Sequence, residues 1–378
     1  MSRFVSCLLP LASLFLTATD SPAAEPRPNI ILLVSDDQRP DTLGAVGNRE
    51  IRTPQLDALA AEGTLFTDCF CTTSICAISR ATILTGQYAR RHGIINFNGF
   101  PEPLAWADCF PMKLRKAGYR TGFIGKWGVG GANTLPKDDY DYWAGFAGQG
   151  NFYPQGAKVT RETASGTHLT VTQGDQAEEF LEGCSANQPF CLQVSFKAAH
   201  CQDGAAWQFP SDLRLAELYA ETHIPAPITA TEEHFARLPK FLQTSEARNR
   251  WRVRFDGEEM RIATVRDYYR LITGIDEVVG RIREKLREKG FAENTVIVYT
   301  SDNGFYLGDH GLAGKWFAHD VSIRLPLIVY DPRVPGLRGG RKSDAFALTI
   351  DIAPTLRELA GVKVPASRQG RSLMSLVR

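Results

Sequence analysis

The sequence predicts an α/β fold with a mostly parallel sheet flanked by helices. Short apolar segments rich in β-branched residues alternate along the chain with segments of helical periodicity, which is typical of parallel strands joined by crossover helices. Four of the apolar segments are NIILLVSDD, YRTGFIGKW, PFCLQVSFKAAH and TVIVYTSDN. Each is a predicted strand, and each finishes in residues whose side chains can bind or react.

Polar residues stand at the carboxyl end of all four predicted strands. In chain order they are Asp36 and Asp37, then Lys126, then His200, and then Asp302 and Asn303. Ligands of open α/β sheets bind outside the carboxyl ends of the strands. Taken singly, an aspartate here is often a turn former or helix cap, and a lone lysine or histidine often lies at the surface or in the core. The coincidence of four such ends favours one shared site.

Three segments carry helical patterns. Apolar residues recur at helical spacing from Thr264 to Lys289, and Gly290 follows as a C-cap. DIAPTLRELAG predicts a second helix that ends at Gly361, and SRATILTGQYARR predicts a third that begins close to Cys76. An anionic group at residue 76 would meet the free N–H groups of that helix's first turn.

The bulk composition argues against highly charged partners. The 378 residues are 43% hydrophobic and carry 43 basic and 42 acidic side chains, which leaves a formal charge of +1. Such a composition is ordinary for a globular chain, and its charge gives no reason to expect a nucleic-acid or bilayer partner. Any recognition of anions is therefore expected to be local.

The N-terminal segment has the features of a secretory signal. Arg3 precedes an apolar run and then small residues that end at Ala24, and the run is shorter than the ~18 residues of a spanning helix. We therefore expect a signal peptide over residues 1–24 and a catalytic domain over residues 25–378. The protein would be secreted or periplasmic without a stable membrane anchor; a short anchor is the alternative.

Seven cysteines remain once the predicted signal is removed. They are Cys69, Cys71, Cys76, Cys109, Cys184, Cys191 and Cys201. In an oxidising compartment an odd number predicts one thiol with a separate fate while up to six pair, with the pairing left open. The spacing of the first three does not match a CxxC zinc motif, so a structural zinc is not expected.

The four acidic and amide side chains at the strand ends suit a hard cation. Asp36, Asp37, Asp302 and Asn303 offer oxygen atoms, which Ca²⁺ and Mg²⁺ prefer and zinc or copper do not. Three carboxylates in one place need a cation to offset their repulsion. With a lysine and a histidine beside it, the cation would form a positive centre suited to a sulfate or phosphate ester.

The segment SEARNRWRVRFDGEEM contains four alternating arginines, Arg248, Arg250, Arg252 and Arg254. On a strand, alternation puts all four on one face. There they would either bind a polyanionic sulfated sugar or form a solvated edge whose charge discourages pairing with other chains. The second interpretation is favoured.

The motifs in their order resemble the sulfatase family, a branch of the alkaline phosphatase superfamily. The order is SDD, CxxSR, GKW, an apolar strand followed by His, SDNG and GK, and the similarity continues through TPQLDALAAEGTLFTDCF and SIRLPLIVYDP over nearly the whole mature chain. The resemblance implies an alkaline-phosphatase-like fold. It also implies an enzyme that hydrolyses sulfate esters on a carbohydrate, such as a sulfated polysaccharide or glycosaminoglycan.

The resemblance further implies a modified nucleophile and a metal. Cys76 would be oxidised during export by a formylglycine-generating enzyme to an aldehyde whose hydrate attacks sulfur. The metal would be calcium or, as a second choice, magnesium. Its ligands would be Asp36, Asp37, residue 76, Asp302 and Asn303.

The resemblance assigns the surrounding cations as well. Arg80 would orient the hydrate, while Lys126, His200 and Lys315 would hold the sulfate and the leaving oxygen. His310 is a further candidate for contact with substrate.

Three features depart from the family pattern. Ile78 replaces the usual proline of CxPSR, and Gly128 replaces the usual histidine of GKWH. The chain also ends at QGRSLMSLVR, so we expect the family's small C-terminal subdomain to be missing. Two alternatives stay open: a phosphate or phosphonate monoester hydrolase, against which Lys126 and Lys315 argue, and a catalytically silent protein that binds sulfated glycans, against which the complete metal set argues.

Overall fold

The computed structural model describes residues 27–334, 340–366 and 368–378, so the predicted signal peptide over residues 1–24 lies outside it. The strands are β1 (Asn29–Ser35), β2 (Thr64–Phe70), β3 (Arg120–Lys126), β4 (Tyr142–Phe146), β5 (Phe190–Ser195), β6 (Thr295–Ser301), β7 (Tyr306–Leu307), β8 (Ala313–Gly314), β9 (Arg324–Tyr330), β10 (Arg341–Ser343) and β11 (Ala347–Leu348). Within the described ranges, no helix has the length and apolar character that a membrane span requires.

One mixed sheet organises the chain. Its strand order is β10-β2-β9-β6-β1-β5-β3-β4, with β11 also paired to β2, and β7 and β8 form a separate hairpin. β9 runs antiparallel to its neighbours β2 and β6, whereas the other pairs in this sheet are parallel. The prediction of a mostly parallel sheet is confirmed.

Helices cover both faces of the sheet. The helices are α1 (Pro54–Glu62), α2 (Cys76–Thr85), α3 (Ala89–His92), α4 (Pro103–Trp106), α5 (Phe110–Lys116), α6 (Leu169–Glu182), α7 (Glu232–Ala236), α8 (Lys240–Gln243), α9 (Glu246–Arg254), α10 (Glu258–Glu288), α11 (Asp320–Ile323), α12 (Ile352–Leu359) and α13 (Met374–Val377). The three predicted helices correspond to α10, α12 and α2, but the third was predicted too long, because Gly86 in the left-handed conformation ends α2 after Thr85. α10 begins at Glu258 rather than at Thr264, since acidic residues in a first turn are favoured by the helix dipole.

Strand β1 explains why the sheet needs two helical layers. Its Ile31 and Leu33 pack in the core with α1, α6 and α10, while Ile30, Leu32 and Val34 pack in the opposite core with α2, α5 and α12. Burial of each such side chain stabilises the fold by roughly 1.5–3 kcal/mol. A strand covered on both faces reads as a continuous apolar run, and this is why the sequence pattern located it.

The arginine-rich segment is helix α9, so the predicted strand and its single arginine face are wrong. Arginine and glutamate have high helix propensity, which outweighs the alternation that suggested a strand. Residues four apart share a helix face, so Arg250 and Arg254 lie together and Arg248 and Arg252 lie on another side.

The prediction that up to six cysteines pair is also wrong. All seven cysteines in the described residues are buried and unpaired. The sheet separates two groups of them, because Cys184 and Cys201 belong to one core and Cys69, Cys71, Cys109 and Cys191 belong to the other.

Candidate active site

The four polar strand ends meet at one edge of the sheet. β6, β1, β5 and β3 are consecutive parallel strands, so their carboxyl ends lie side by side. One boundary was predicted incorrectly: β5 ends at Ser195, and His200 follows an irregular segment rather than the strand itself. Ser195 already carries the last ladder contact with β1 and β3, after which the chain turns into the crevice.

Cys76 is the first residue of α2 and is only 1% exposed. Its neighbour Ile75 has an extended backbone, and Gly86 ends the helix in the left-handed conformation. The sulfur therefore stands where the free N–H groups of a first turn favour negative charge.

A lysine and an aspartate contact the sulfur of Cys76. Nζ of Lys315 lies 2.7 Å from Sγ, and Sγ lies 3.4 Å from Oδ1 of Asp36. Burial, and then the charge of Asp36, raise the pKa of the thiol to about 12. Residue 76 as cysteine is thus a neutral thiol, which is a poor nucleophile.

Asp36 remains ionised at the centre of the site. Burial acts to raise its pKa, but the charges of Lys126, Arg80 and Lys315 hold the pKa well below its ordinary value. Lys126 bonds the Asp36 carboxylate directly, and Nη2 of Arg80 lies 3.2 Å from Oδ2.

The buried side chain of Arg80 forms hydrogen bonds at the ends of three strands. Its Nε donates to Oδ2 of Asp302 at 2.8 Å, and its Nη1 donates to the carbonyl of Lys126 at 2.7 Å and to the hydroxyl of Ser195. One guanidinium therefore ties β6, β3 and β5 together. The sequence did not single out Ser195, although its place at the end of a predicted strand was a signal.

Gln149 is a second residue that sequence reasoning missed. Its Oε1 accepts a hydrogen bond of 2.6 Å from Nζ of Lys126. Gln149 follows β4, the outer neighbour of β3, so the rule that ligands gather at carboxyl ends applies to it as well.

Asp37, Asp302 and Asn303 form the side of the site that fits a cation. Nδ2 of Asn303 donates to Oδ1 of Asp37 at 2.6 Å, and Oδ1 of Asp302 accepts from the Asp37 backbone at 3.2 Å. Burial raises the pKa of Asp37 to about 6, although the charge of Lys315 acts to lower it. Burial, and then the charge of Asp36, raise the pKa of Asp302. Oδ1 of Asn303 is buried and has no hydrogen-bond partner among the described residues. Crowded buried carboxylates beside an unpaired amide oxygen fit an oxygen-ligated cation.

His200 faces the same carboxylates from the other side. Its Nδ1 lies 2.6 Å from the carbonyl of Cys201, so Nδ1 carries the proton and Nε2 points inward, 3.6 Å from Oδ2 of Asp37. One ligand atom each of Asp36, Asp37, Cys76 and His200 lies within 4.8 Å of the others.

His310 lies in a different cluster. Its ring stacks on His319 with centroids 4.9 Å apart and lies 6.3 Å from the ring of His234. Within the described residues, no hydrogen bond or ion pair joins it to Cys76 or Lys315. Its contact with substrate stays a prediction.

The two motif departures have local structural explanations. Gly128 has φ +73°, and a Cβ there would lie 2.7 Å from Cδ of Arg80, so Arg80 already fills the space of a side chain. Ile78 is the third residue of α2, where the backbone N–H has no helical acceptor. Neither isoleucine nor proline at this position would therefore cost a hydrogen bond within the helix.

The comparison with protein families agrees with this geometry. The sulfatase family profile matches residues 28–362. The chain belongs to the sulfatase family. The family match and its sulfatase relatives identify it as a sulfuric ester hydrolase. The alkaline-phosphatase-like fold expected from the sequence is confirmed by the solved structures that resemble it.

Three relatives illustrate the match of this sulfatase. An N-acetylglucosamine-6-O-sulfatase of Bacteroides thetaiotaomicron is 30% identical over 432 residues, covering 97% of this chain and 74% of the relative. A protein solved with its substrate D-glucosamine-2-N,6-O-disulfate has a TM-score of 0.76 and 27% identity, covering 93% of this chain and 80% of that one. A phosphonate monoester hydrolase of Agrobacterium radiobacter shares the fold, with a TM-score of 0.75, 24% identity and coverage of 93% and 77%.

Proposed function

We propose that this sulfatase hydrolyses sulfate esters on carbohydrates, such as a sulfated polysaccharide or glycosaminoglycan. The observation that carries the proposal is the position of residue 76 at a helix N-terminus, in contact with Lys315 and Asp36. The sulfated amino sugars named for two relatives support a carbohydrate as the substrate.

Residue 76 acts as formylglycine, made from Cys76 by a formylglycine-generating enzyme during export. A thiol with a pKa of about 12 is not ionised at neutral pH, and attack on a sulfate ester requires a hard oxygen nucleophile. The modified residue supplies that oxygen. The N-terminal signal pattern over residues 1–24 supports the export step and a secreted or periplasmic location.

A divalent cation, calcium or magnesium, completes the site. Its proposed ligands are Asp36, Asp37, residue 76, Asp302 and Asn303, and the unpaired Oδ1 of Asn303 supports this set. When bound, the cation polarises the sulfate oxygens and the nucleophile.

The chain's own lysines and histidine bind and orient the ester. Lys126, Lys315 and His200 surround residue 76 and would hold the sulfate oxygens and the leaving oxygen. Arg80 has a different part, because its contacts with Asp302, Asp36 and the Lys126 carbonyl make it the residue that orients the others.

The test compares sulfate release from 6-O-sulfated N-acetylglucosamine and an aryl sulfate with phosphate release from the matching aryl phosphate. We expect sulfate release by the wild type and none by Cys76→Ala, which keeps the fold and removes the nucleophile. Release of phosphate alone would overturn the proposal in favour of a phosphomonoester hydrolase. Binding of the sulfated sugar without any release would identify a catalytically silent binder instead.

A further inference from the structure

Asp203 links the segment after His200 to helix α9 by hydrogen bonds. Oδ1 of Asp203 accepts bonds of 2.5 Å from Nη1 of Arg250 and 2.5 Å from Nη2 of Arg254. The same oxygen lies 3.4 Å from the thiol of Cys201. Burial acts to raise the pKa of Asp203, but the bond from Arg250 and the charge of Arg254 hold it below its ordinary value, so the carboxylate stays charged.

The other side of Arg250 contacts the segment that carries Lys315. The guanidinium carbon of Arg250 lies 5.2 Å from the ring centroid of Trp316, the residue directly after Lys315. Helix α9 also packs against β8, which ends one residue before Lys315. Arg250 thus contacts the segment that follows His200 and the segment that carries Lys315. The side chains of His200 and Lys315 both approach residue 76.

We infer that Arg250 is a positioning residue that sets the spacing between His200 and Lys315. The inference rests on the proposed function, because those two side chains are the ones proposed to hold the sulfate. A planar guanidinium suits this positioning role, because one of its NH₂ groups can bond a carboxylate while its flat face stacks on an indole ring.

The remaining arginines of α9 do not form the polyanion-binding face considered from the sequence, and Arg254 shares Asp203 with Arg250. Arg254 is 2% exposed, and the guanidinium of Arg248 lies 4.0 Å from the rings of both Phe235 and Trp251. Arg252 is exposed and bonds only Asn249 among the described residues. Arg252 is therefore a matched control for Arg250.

The test measures the dissociation constant of inorganic sulfate and kcat/KM for a sulfated sugar, using the mature, cation-loaded enzyme. We expect Arg250→Ala to weaken sulfate binding and to lower kcat/KM by about tenfold each, which is less than the roughly hundredfold cost of a 1 Å misplacement. Arg250→Lys keeps the ion pair and should recover part of both losses, whereas Arg252→Ala should stay within about twofold of the wild type.

Circular dichroism and the unfolding temperature establish that each variant is folded. If Arg250→Ala changes only the unfolding temperature and matches Arg252→Ala in sulfate affinity, the inference is overturned. A wild type that binds sulfate without turnover contradicts the proposed function but leaves the sulfate comparison to decide the role of Arg250. A wild type that neither binds sulfate nor releases it from the sugar overturns both.

Discussion

The ammonium of Lys315 lies 2.7 Å from the sulfur of Cys76, although 239 positions separate the two residues in the chain. The same ammonium bonds the carboxylate of Asp37. Burial acts to lower the pKa of Lys315, but Asp37 outweighs it and keeps the pKa well above its ordinary value. A permanent positive charge therefore faces residue 76, where an anionic ester has to bind.

Lys315→Met should lower kcat by about 10² to 10³-fold, the typical cost of losing one preorganised donor to an anionic transition state. The substitution leaves Asp37 without the ammonium group that it bonds, so the unfolding temperature is measured in parallel. Lys342 is exposed on β10 and provides the control. Equal rates for Lys315→Met and Lys342→Met would contradict a catalytic role for Lys315.

Residue 76 should carry an aldehyde in protein made by an export-competent host. The buried thiol does not ionise at neutral pH, so conversion is the route to an active nucleophile. Mass spectrometry of the peptide that spans Thr72 to Arg80 should detect a product that reacts with a hydrazide probe. Cys76→Ala should not react. Recovery of only the free thiol in active protein would contradict the formylglycine proposal.

Removal of the divalent cation should abolish sulfate release and destabilise the fold. Without it, Asp37 and Asp302 share buried space with Asp36, and burial raises the pKa values of the first two. Calcium at a hundredfold excess over its dissociation constant should add about 2.7 kcal/mol to the free energy of unfolding.

Calorimetric titration of cation-free protein with calcium and with magnesium gives the dissociation constants. The free energy of unfolding is then measured with and without the cation. Asn303→Ala removes the unpaired amide oxygen and should weaken cation binding. An unchanged affinity in that variant would exclude Asn303 from the ligand set.

Gly128→Ala should reduce activity more than its backbone cost explains. A left-handed alanine costs about 1–2 kcal/mol, and its Cβ would also lie 2.7 Å from Cδ of Arg80. Gly93 has φ +75° with nothing within 4 Å of a Cβ, so Gly93→Ala carries the backbone cost alone. Gly128→Ala should lose more stability than Gly93→Ala, because its Cβ also displaces Arg80, and only Gly128→Ala should lower kcat/KM. Equal kcat/KM values would show that Arg80 tolerates displacement.

His168 should make stability fall at acid pH. Its Nδ1 accepts from the backbone of Thr170 at 3.3 Å and its Nε2 lies 3.0 Å from the carbonyl of Pro210, which together require the neutral ring. Burial lowers its pKa from 6.5 to about 4. As the pH falls, His168 takes up a proton in the unfolded chain before it does so in the folded protein. The folded state therefore loses about 3 kcal/mol of stability between pH 6.5 and pH 4.

Urea unfolding across this pH range measures the effect. His168→Asn keeps a side-chain cap for α6 and removes the titration, so its stability should vary less with pH by about the same 3 kcal/mol. A slope identical to that of the wild type would assign the acid sensitivity to other groups.

Local patterns predicted the elements that are buried on two sides or capped. β1 and β6 are continuous apolar runs because helices cover both of their faces. The start of α2 near Cys76 was predicted, whereas its end before the left-handed Gly86 was not. The pattern of α9 misled because alternation and helical periodicity coexist in a short, charged segment. There the strong helix propensity of arginine and glutamate decided the outcome.

By itself, the sequence determined the mostly parallel sheet, the family and the six polar residues at or shortly after the four strand ends, since each is encoded in a short contiguous segment. Only the tertiary structure decided the partners of those residues. Lys315 beside Cys76, Gln149 beside Lys126 and Arg250 between Asp203 and Trp316 are contacts between distant segments. Side chains far apart in the chain meet only after the sheet has aligned its carboxyl ends, and no local periodicity records that meeting.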